Sequence, residues 1–134
     1  MNKMNKKMEY ALMSLRIISE KPEGQVTSAK EVADLIHIPF DVTARVLQAL
    51  SSRGLLKAEY GVGGGYILAR PLSEVSVHDL SEMLEGHTII TKCLGQDEPC
   101  EISKTCNITT PISNLNTKVQ NFYKSLTLDE VLNV

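Results

Sequence analysis

The sequence predicts a mainly α protein with a β-hairpin wing: a winged helix-turn-helix unit followed by a long C-terminal dimerisation helix. Three observations predict it. Two short amphipathic segments are joined by a tight turn at His37-Ile38-Pro39. A glycine-rich tip, Gly61 to Gly65, separates two short apolar runs. Apolar residues then recur from Ile108 to Leu126 at steps of four, three, four, three and four, the period of a coiled-coil seam. The chain has 134 residues, 43% of them hydrophobic and 22% charged, which is the balance of one globular unit and excludes disorder as its main character.

Each element has a local cause. Met4, Met8, Ala11, Leu12, Leu15 and Ile18 form one helical stripe over residues 4–19, and Pro22 with Gly24 ends it. Ser28 and Glu31 stand three apart before Val32, Leu35 and Ile36, the spacing of a capping box, so a second helix is expected over 29–36. Pro39 suits a helix start, and Val42, Val46, Leu47, Ala49 and Leu50 form the apolar face of a third helix that stops at Gly54. The runs Leu55–Ala58 and Tyr66–Ala69 make the hairpin. Ser76 caps a short helix carrying Val77, Leu80, Met83 and Leu84, which closes at Gly86. Residues 90–107 lack a helical period and read as a loop, and Thr110 with Pro111 is expected to start the last helix. The organisation expected is therefore a DNA-binding unit over 1–86, a cysteine loop over 87–107, and a dimerisation helix and tail over 108–134.

Several function classes drop out. No eighteen-residue apolar run exists, so no membrane span is expected. Lys3, Lys6 and Lys7 open the chain, but Glu9 and Arg16 interrupt any signal-peptide core, so a cytoplasmic protein is expected. The glycines at 61 and 63 do not complete a dinucleotide fingerprint, because its third glycine falls on Tyr66 and the context is strand to strand. An enzyme is not expected.

Charge points toward a polyanion. The net charge of −2 divides into +3 over residues 1–70 and −5 over residues 71–134. A helix-turn-helix sets the N-terminal end of its second helix in the major groove, which places Phe40, Asp41, Thr43, Ala44 and Arg45 among the base-reading candidates. Arg45 is the one cation of that group, able to bind phosphate or the acceptor edge of guanine. Ser28, Lys30 and Arg53, with Lys57 and Arg70, are candidate phosphate contacts, and Tyr60, Gly63 and Gly64 are candidates on the wing. Double-stranded operator DNA, palindromic for a homodimer, is the partner these features imply.

Cys93, Cys100 and Cys106 fall within fourteen residues. In a reducing compartment such a group reads as metal or redox chemistry before structural disulfides. Zinc sites favour ligand pairs two to four apart, whereas these cysteines are separated by six and five residues, a spacing a bulkier iron–sulfur cluster accommodates. Three thiolates leave one iron short of a ligand, with His87, His78 and Glu9 as chemical candidates.

Certain runs carry a family likeness. Ile38-Pro39, Val46-Leu47-Gln48-Ala49-Leu50, Arg53-Gly54-Leu55-Leu56 and Gly63-Gly64-Gly65-Tyr66-Ile67-Leu68-Ala69-Arg70-Pro71 resemble the Rrf2 family of bacterial winged-helix regulators. Val77-His78-Asp79-Leu80, Leu84-Glu85-Gly86, the cysteine loop and the closing Leu126-Thr127-Leu128 extend the resemblance over essentially the whole chain. The three-cysteine, NsrR- and IscR-like members of that family are homodimers with an iron–sulfur cluster held between the loop of one subunit and helix one of the other. The resemblance thus implies one cluster per subunit, 4Fe-4S in preference to 2Fe-2S, and a repressor responding to nitric oxide, redox state or iron supply. Six residues between the first two cysteines is one more than is usual in those members. Thr109 stands where IscR-like members carry a histidine ligand, while Glu9, before Tyr10-Ala11-Leu12, stands where NsrR-like members carry an acidic one. Tyr60 occupies the wing position usually held by arginine. The rival readings are a metal-free thiol-disulfide switch on the same fold and, less favoured, an iron–sulfur carrier, which would leave the helix-turn-helix unexplained.

Overall fold

The computed structural model describes residues 4–86 and 100–134. Helix α1 spans Lys6–Glu20, with the Asn5 side chain accepting the Met8 N–H at 3.0 Å. Helix α2 spans Ala29–Ile36 and α3 spans Phe40–Ser52. Their turn needs no glycine: His37 itself takes the left-handed conformation, φ 55, and the Ile38 N–H donates to Ala33 O. Gly54, at φ +84, lets the chain leave α3 and enter β1, Leu56–Glu59.

Strand β1 pairs antiparallel with β2, Gly65–Leu68, in the register Leu56↔Leu68 to Glu59↔Gly65. A third segment borders this hairpin, because Thr27 and Tyr66 exchange both backbone hydrogen bonds, at 3.0 and 2.8 Å. A single 3-10 turn at Leu72–Glu74 leads to α4, Val77–Glu85. Beyond the undescribed stretch lie α5, Thr109–Ser125, and α6, Leu128–Leu132.

The apolar stripes meet in one core. Leu15, Leu47, Leu50, Leu55, Leu56 and Leu80 are fully or almost fully buried there, so the inward faces of α1, α3, β1 and α4 share it. At about 1.5–3 kcal/mol for each such side chain, this cluster is the main stabilising element.

Two local expectations change. The capping box at the start of α2 is only half formed: the Ser28 hydroxyl accepts the Glu31 N–H, but the Glu31 carboxylate is drawn 2.9 Å from Lys21 Nζ at the end of α1. The long-range ion pair has displaced the local one. A complete box occurs instead at α4, between Ser76 and Asp79. The last long helix begins two residues before the expected position, with Ile108 as N-cap and Pro111 inside the first turn, where a missing N–H leaves no helical bond unmade.

The tail holds an element that periodicity did not reveal. Leu126 O accepts the Val77 N–H and the Leu128 N–H donates to Val75 O, pinning the chain beside the start of α4. Helix α6 then places Leu128 and Leu132 in the core shared by α1, α3, β1 and α4. The C-terminal end of α5 is therefore anchored beside the start of α4.

Candidate functional site

Helix α3 presents two unlike faces. Val46, Leu47 and Leu50 are buried, while Phe40, Asp41, Arg45 and Gln48 are exposed and Ala44 is half-exposed between them. Arg45 makes no ion pair among the described residues, so its guanidinium is available to an outside acceptor. Asp41 lies in the first turn, where a carboxylate complements the helix dipole. Gln48 was missed as a candidate; its position, three residues after Arg45 and four after Ala44, is the signal that puts it on the same face.

Thr43 corrects the sequence reading. It is fully buried, and its hydroxyl donates to Pro39 O at 2.7 Å. A side chain spent on holding the first turn of α3 is removed from any surface that reads bases.

The flanking candidates sit differently. Ser28 is the N-cap of α2 and its oxygen is engaged by Glu31, so what it offers outward is the helix N-terminus more than its hydroxyl. Lys30 is exposed and held by Asp34 at 3.1 Å, an i,i+4 pair weak enough for a phosphate to displace. Arg53 caps α3 and is exposed. Lys57 leans toward Glu59 at 3.9 Å, and Arg70 donates to Glu74 O at 3.3 Å.

The glycines of the wing have a steric cause. Gly61 and Gly63 have φ +107 and +77, and the Gly64 N–H donates to Gly61 O, closing the turn. Gly65 lies against backbone: a Cβ there would stand 2.6 Å from Thr27 C and 2.8 Å from Ser28 N. Gly65 thus fastens the hairpin to the N-terminus of α2. Tyr60 and Val62 project from the tip, both exposed.

Of the proposed cluster ligands, Cys93 lies outside the described residues, as does His87. Cys100 and Cys106 are half-buried free thiols. Cys106 lies just before α5, where the Thr109 hydroxyl and the backbone N–H groups of Ile108 and Thr109 donate to its sulfur and hold its pKa below the ordinary thiol value. Such a sulfur is biased toward thiolate, the form that binds metal or attacks a disulfide. Glu9 is half-exposed and paired with Lys6 at 2.9 Å, which raises the pKa of that lysine. Among the described residues of one chain no three His, Cys, Asp or Glu side chains converge on a common point. The described donors fit a cluster in their chemistry, two free thiols with one biased toward thiolate.

The Rrf2 family, described as that of an iron-dependent transcriptional regulator, matches residues 4–134. The chain belongs to the Rrf2 family. A Haemophilus influenzae protein named as an HTH-type transcriptional regulator is 28% identical over 131 residues, covering 98% of this chain and 87% of that one. Among solved structures, CymR (YrzC), the global cysteine regulator of B. subtilis, is similar at TM-score 0.75 and 23% identity over 99% of this chain and 98% of that chain. IscR of T. potens is similar at TM-score 0.70 and 21% identity, covering 98% and 87% respectively. An oxidized form of CymR from Staphylococcus aureus gives 0.73 and 20%, covering 99% and 98%. At these identities the structures establish the winged-helix fold. Membership of the Rrf2 family makes the chain a DNA-binding transcriptional regulator and not an enzyme. No helix among the described residues is long and apolar enough to cross a membrane.

Proposed function

We propose that this Rrf2 protein acts as a homodimer on a palindromic operator and that its cysteine segment regulates the grip on DNA. The outward face of α3 carries the reading: Phe40, Asp41, Ala44, Arg45 and Gln48 are unshielded on the helix that the fold offers to the major groove, while its other face is spent on the core. Lys30 and Arg53, with the backbone at Ser28 and Gly63, flank that face as phosphate contacts; the Gly64 N–H is already held by Gly61 O.

Dimerisation through α5 is supported by what the helix leaves uncovered. None of its 17 residues is buried, yet Leu115 and Phe122 on the seam are exposed at 49% and 59%. Such a stripe is stable when another copy of the same stripe covers it.

An iron–sulfur cluster, favoured as 4Fe-4S, would be held by Cys93, Cys100 and Cys106, with Glu9 from the opposite subunit as the fourth ligand. When bound, it supplies electron exchange and an iron open to oxidants or nitric oxide. The Thr109 hydroxyl and the N–H groups of Ile108 and Thr109 bias the Cys106 sulfur toward thiolate, and Glu9 must exchange its Lys6 partner for the ligand role. Because α5 starts beside Cys106, a change at that sulfur acts on the helix that joins the two subunits. The bias of Cys106 toward thiolate equally supports a metal-free thiol-disulfide switch.

The test is selection of duplex DNA from a random library by anaerobically purified protein, followed by Arg45→Ala on the selected sequence. A single enriched palindrome, with affinity falling by about 1–3 kcal/mol and discrimination relaxed at one position per half-site, is expected if Arg45 reads guanine. Failure to enrich any duplex overturns the DNA reading. Iron and sulfide analysis of the same sample separates cluster from switch, and stoichiometric zinc without iron refutes the cluster.

A further inference from the structure

The hairpin tip carries two side chains whose chemistry the phosphate contacts do not use. Tyr60 is 94% exposed and Val62 is exposed without any shielding. They flank Gly61 on a tight turn closed by the Gly64 N–H to Gly61 O bond of 3.0 Å. The turn is pinned at its base, where Glu59 pairs with Gly65 and Gly65 abuts the backbone of Thr27 and Ser28. Two apolar groups are thus held out on a narrow, braced projection.

The charge of this projection narrows what it can touch. From Ala58 to Ala69 the chain contains no lysine or arginine, and Glu59 stands on β1. Contact along the phosphate backbone calls for cations, since affinity there comes from charge neutralisation. A tip without a cation releases no counterions by lying on phosphates, and the carboxylate of Glu59 would be repelled by them. Engagement of the minor groove by apolar side chains takes another form, in which a wedge enters between neighbouring bases and partly unstacks them. The wing is continuous with the DNA-facing helix: Gly54 joins α3 to β1, and β1 packs against α3.

We propose that Tyr60 and Val62 form an apolar wedge that enters the minor groove beside each half-site and parts one base step. The proposal rests on the DNA reading given above. It assigns the wing a preference for easily unstacked pyrimidine–purine steps, a readout by deformability and not by charge.

The experiment uses the full-length protein and duplexes that the wild type selects from a random library, with 2-aminopurine substituted stepwise along the sequence flanking each half-site. Both tip residues are solvent-exposed, so their variants keep the fold, which a circular dichroism spectrum verifies. The wild type is expected to raise 2-aminopurine emission at one step per half-site. Tyr60→Ala and Val62→Ala are expected to lose that signal, and Tyr60→Ala to bind about ten-fold more weakly with an unchanged salt slope. Tyr60→Arg, which restores a cation, is expected to steepen the log–log salt dependence by about 0.9 per phosphate engaged while leaving the step stacked. Wild-type binding with no emission change at any flanking step, or alanine variants that bind as tightly as wild type, overturns the wedge while the DNA reading stands. Enrichment of no duplex by the wild type removes both.

Discussion

Replacing Gly65 by alanine tests whether the wing is fastened to α2 by backbone contact. The new methyl group would lie 2.6 Å from Thr27 C, 2.7 Å from Thr27 O and 2.8 Å from Ser28 N. Non-bonded carbon contacts are comfortable at about 3.5–4.0 Å, so the Thr27–Ser28 backbone must retreat by roughly 1 Å. That retreat takes the two Thr27–Tyr66 hydrogen bonds, 2.8 and 3.0 Å, to or beyond the limit of useful geometry. Losing both costs about 0.5–1.5 kcal/mol each, and the overpacking itself costs about 1–3 kcal/mol. The sum, about 2–6 kcal/mol, is reduced by roughly 0.5–1 kcal/mol because alanine restricts the unfolded chain. For a chain of this size each kcal/mol corresponds to about 4 °C, so Tm should fall by roughly 5–20 °C. Gly63→Ala is the control: its Cβ meets nothing within 4 Å, and the cost is confined to the left-handed backbone at φ +77, about 1–2 kcal/mol. Thermal unfolding followed by circular dichroism, at one fixed protein concentration, compares the two. If Gly65→Ala melts at or above Gly63→Ala, the close approach is not what requires glycine at this position.

Four further outcomes are expected. Leu128→Ala should destabilise the protein by about 2–5 kcal/mol in urea titrations, although only six residues of the sequence follow it, because Leu128 is fully buried in the core. Leu115→Asp with Val119→Asp should give monomers by sedimentation and abolish tight operator binding, and a dimer that survives both changes would show that α5 is not the subunit contact. Thr43→Val should leave the selected operator sequence unchanged while lowering stability by about 1 kcal/mol, since its hydroxyl serves Pro39 O; a changed sequence preference would put Thr43 back in the interface. In iron-free protein, the pH of half-maximal Cys106 alkylation should lie below 9.0 and should rise in Thr109→Val, which removes the main donor to the sulfur. The sign for stability follows: the folded thiol ionises at lower pH than the unfolded one, so the thiolate contribution is complete above the unfolded pKa and disappears as pH falls through the folded value.

Local chemistry made much of this protein legible in its sequence. The stripes of α1 and α3, the stop at Gly54, the cap at Ser76 and the turn glycines of the wing all depend on residues within a few positions of one another, and all are present in the fold. Arg45 was legible as a surface cation for the same reason, since helix periodicity sets it apart from Val46 and Leu47. Tertiary structure decided the rest. Thr43 and Ala44 are adjacent in sequence, but the packing of α3 on its core turns the first inward onto Pro39 O and leaves the second at the surface. Glu31 gave up its local cap to reach Lys21, a contact ten residues distant that no spacing rule specifies. Gly65 reads as one more turn glycine until Thr27 is brought against it, and Leu128 reads as a tail residue until α6 folds back on Val75 and the core. The dividing line is physical: capping, periodicity and turn sterics act along the chain and are written in neighbouring residues, whereas close approach, ion-pair choice and burial depend on which distant segments the completed core brings together.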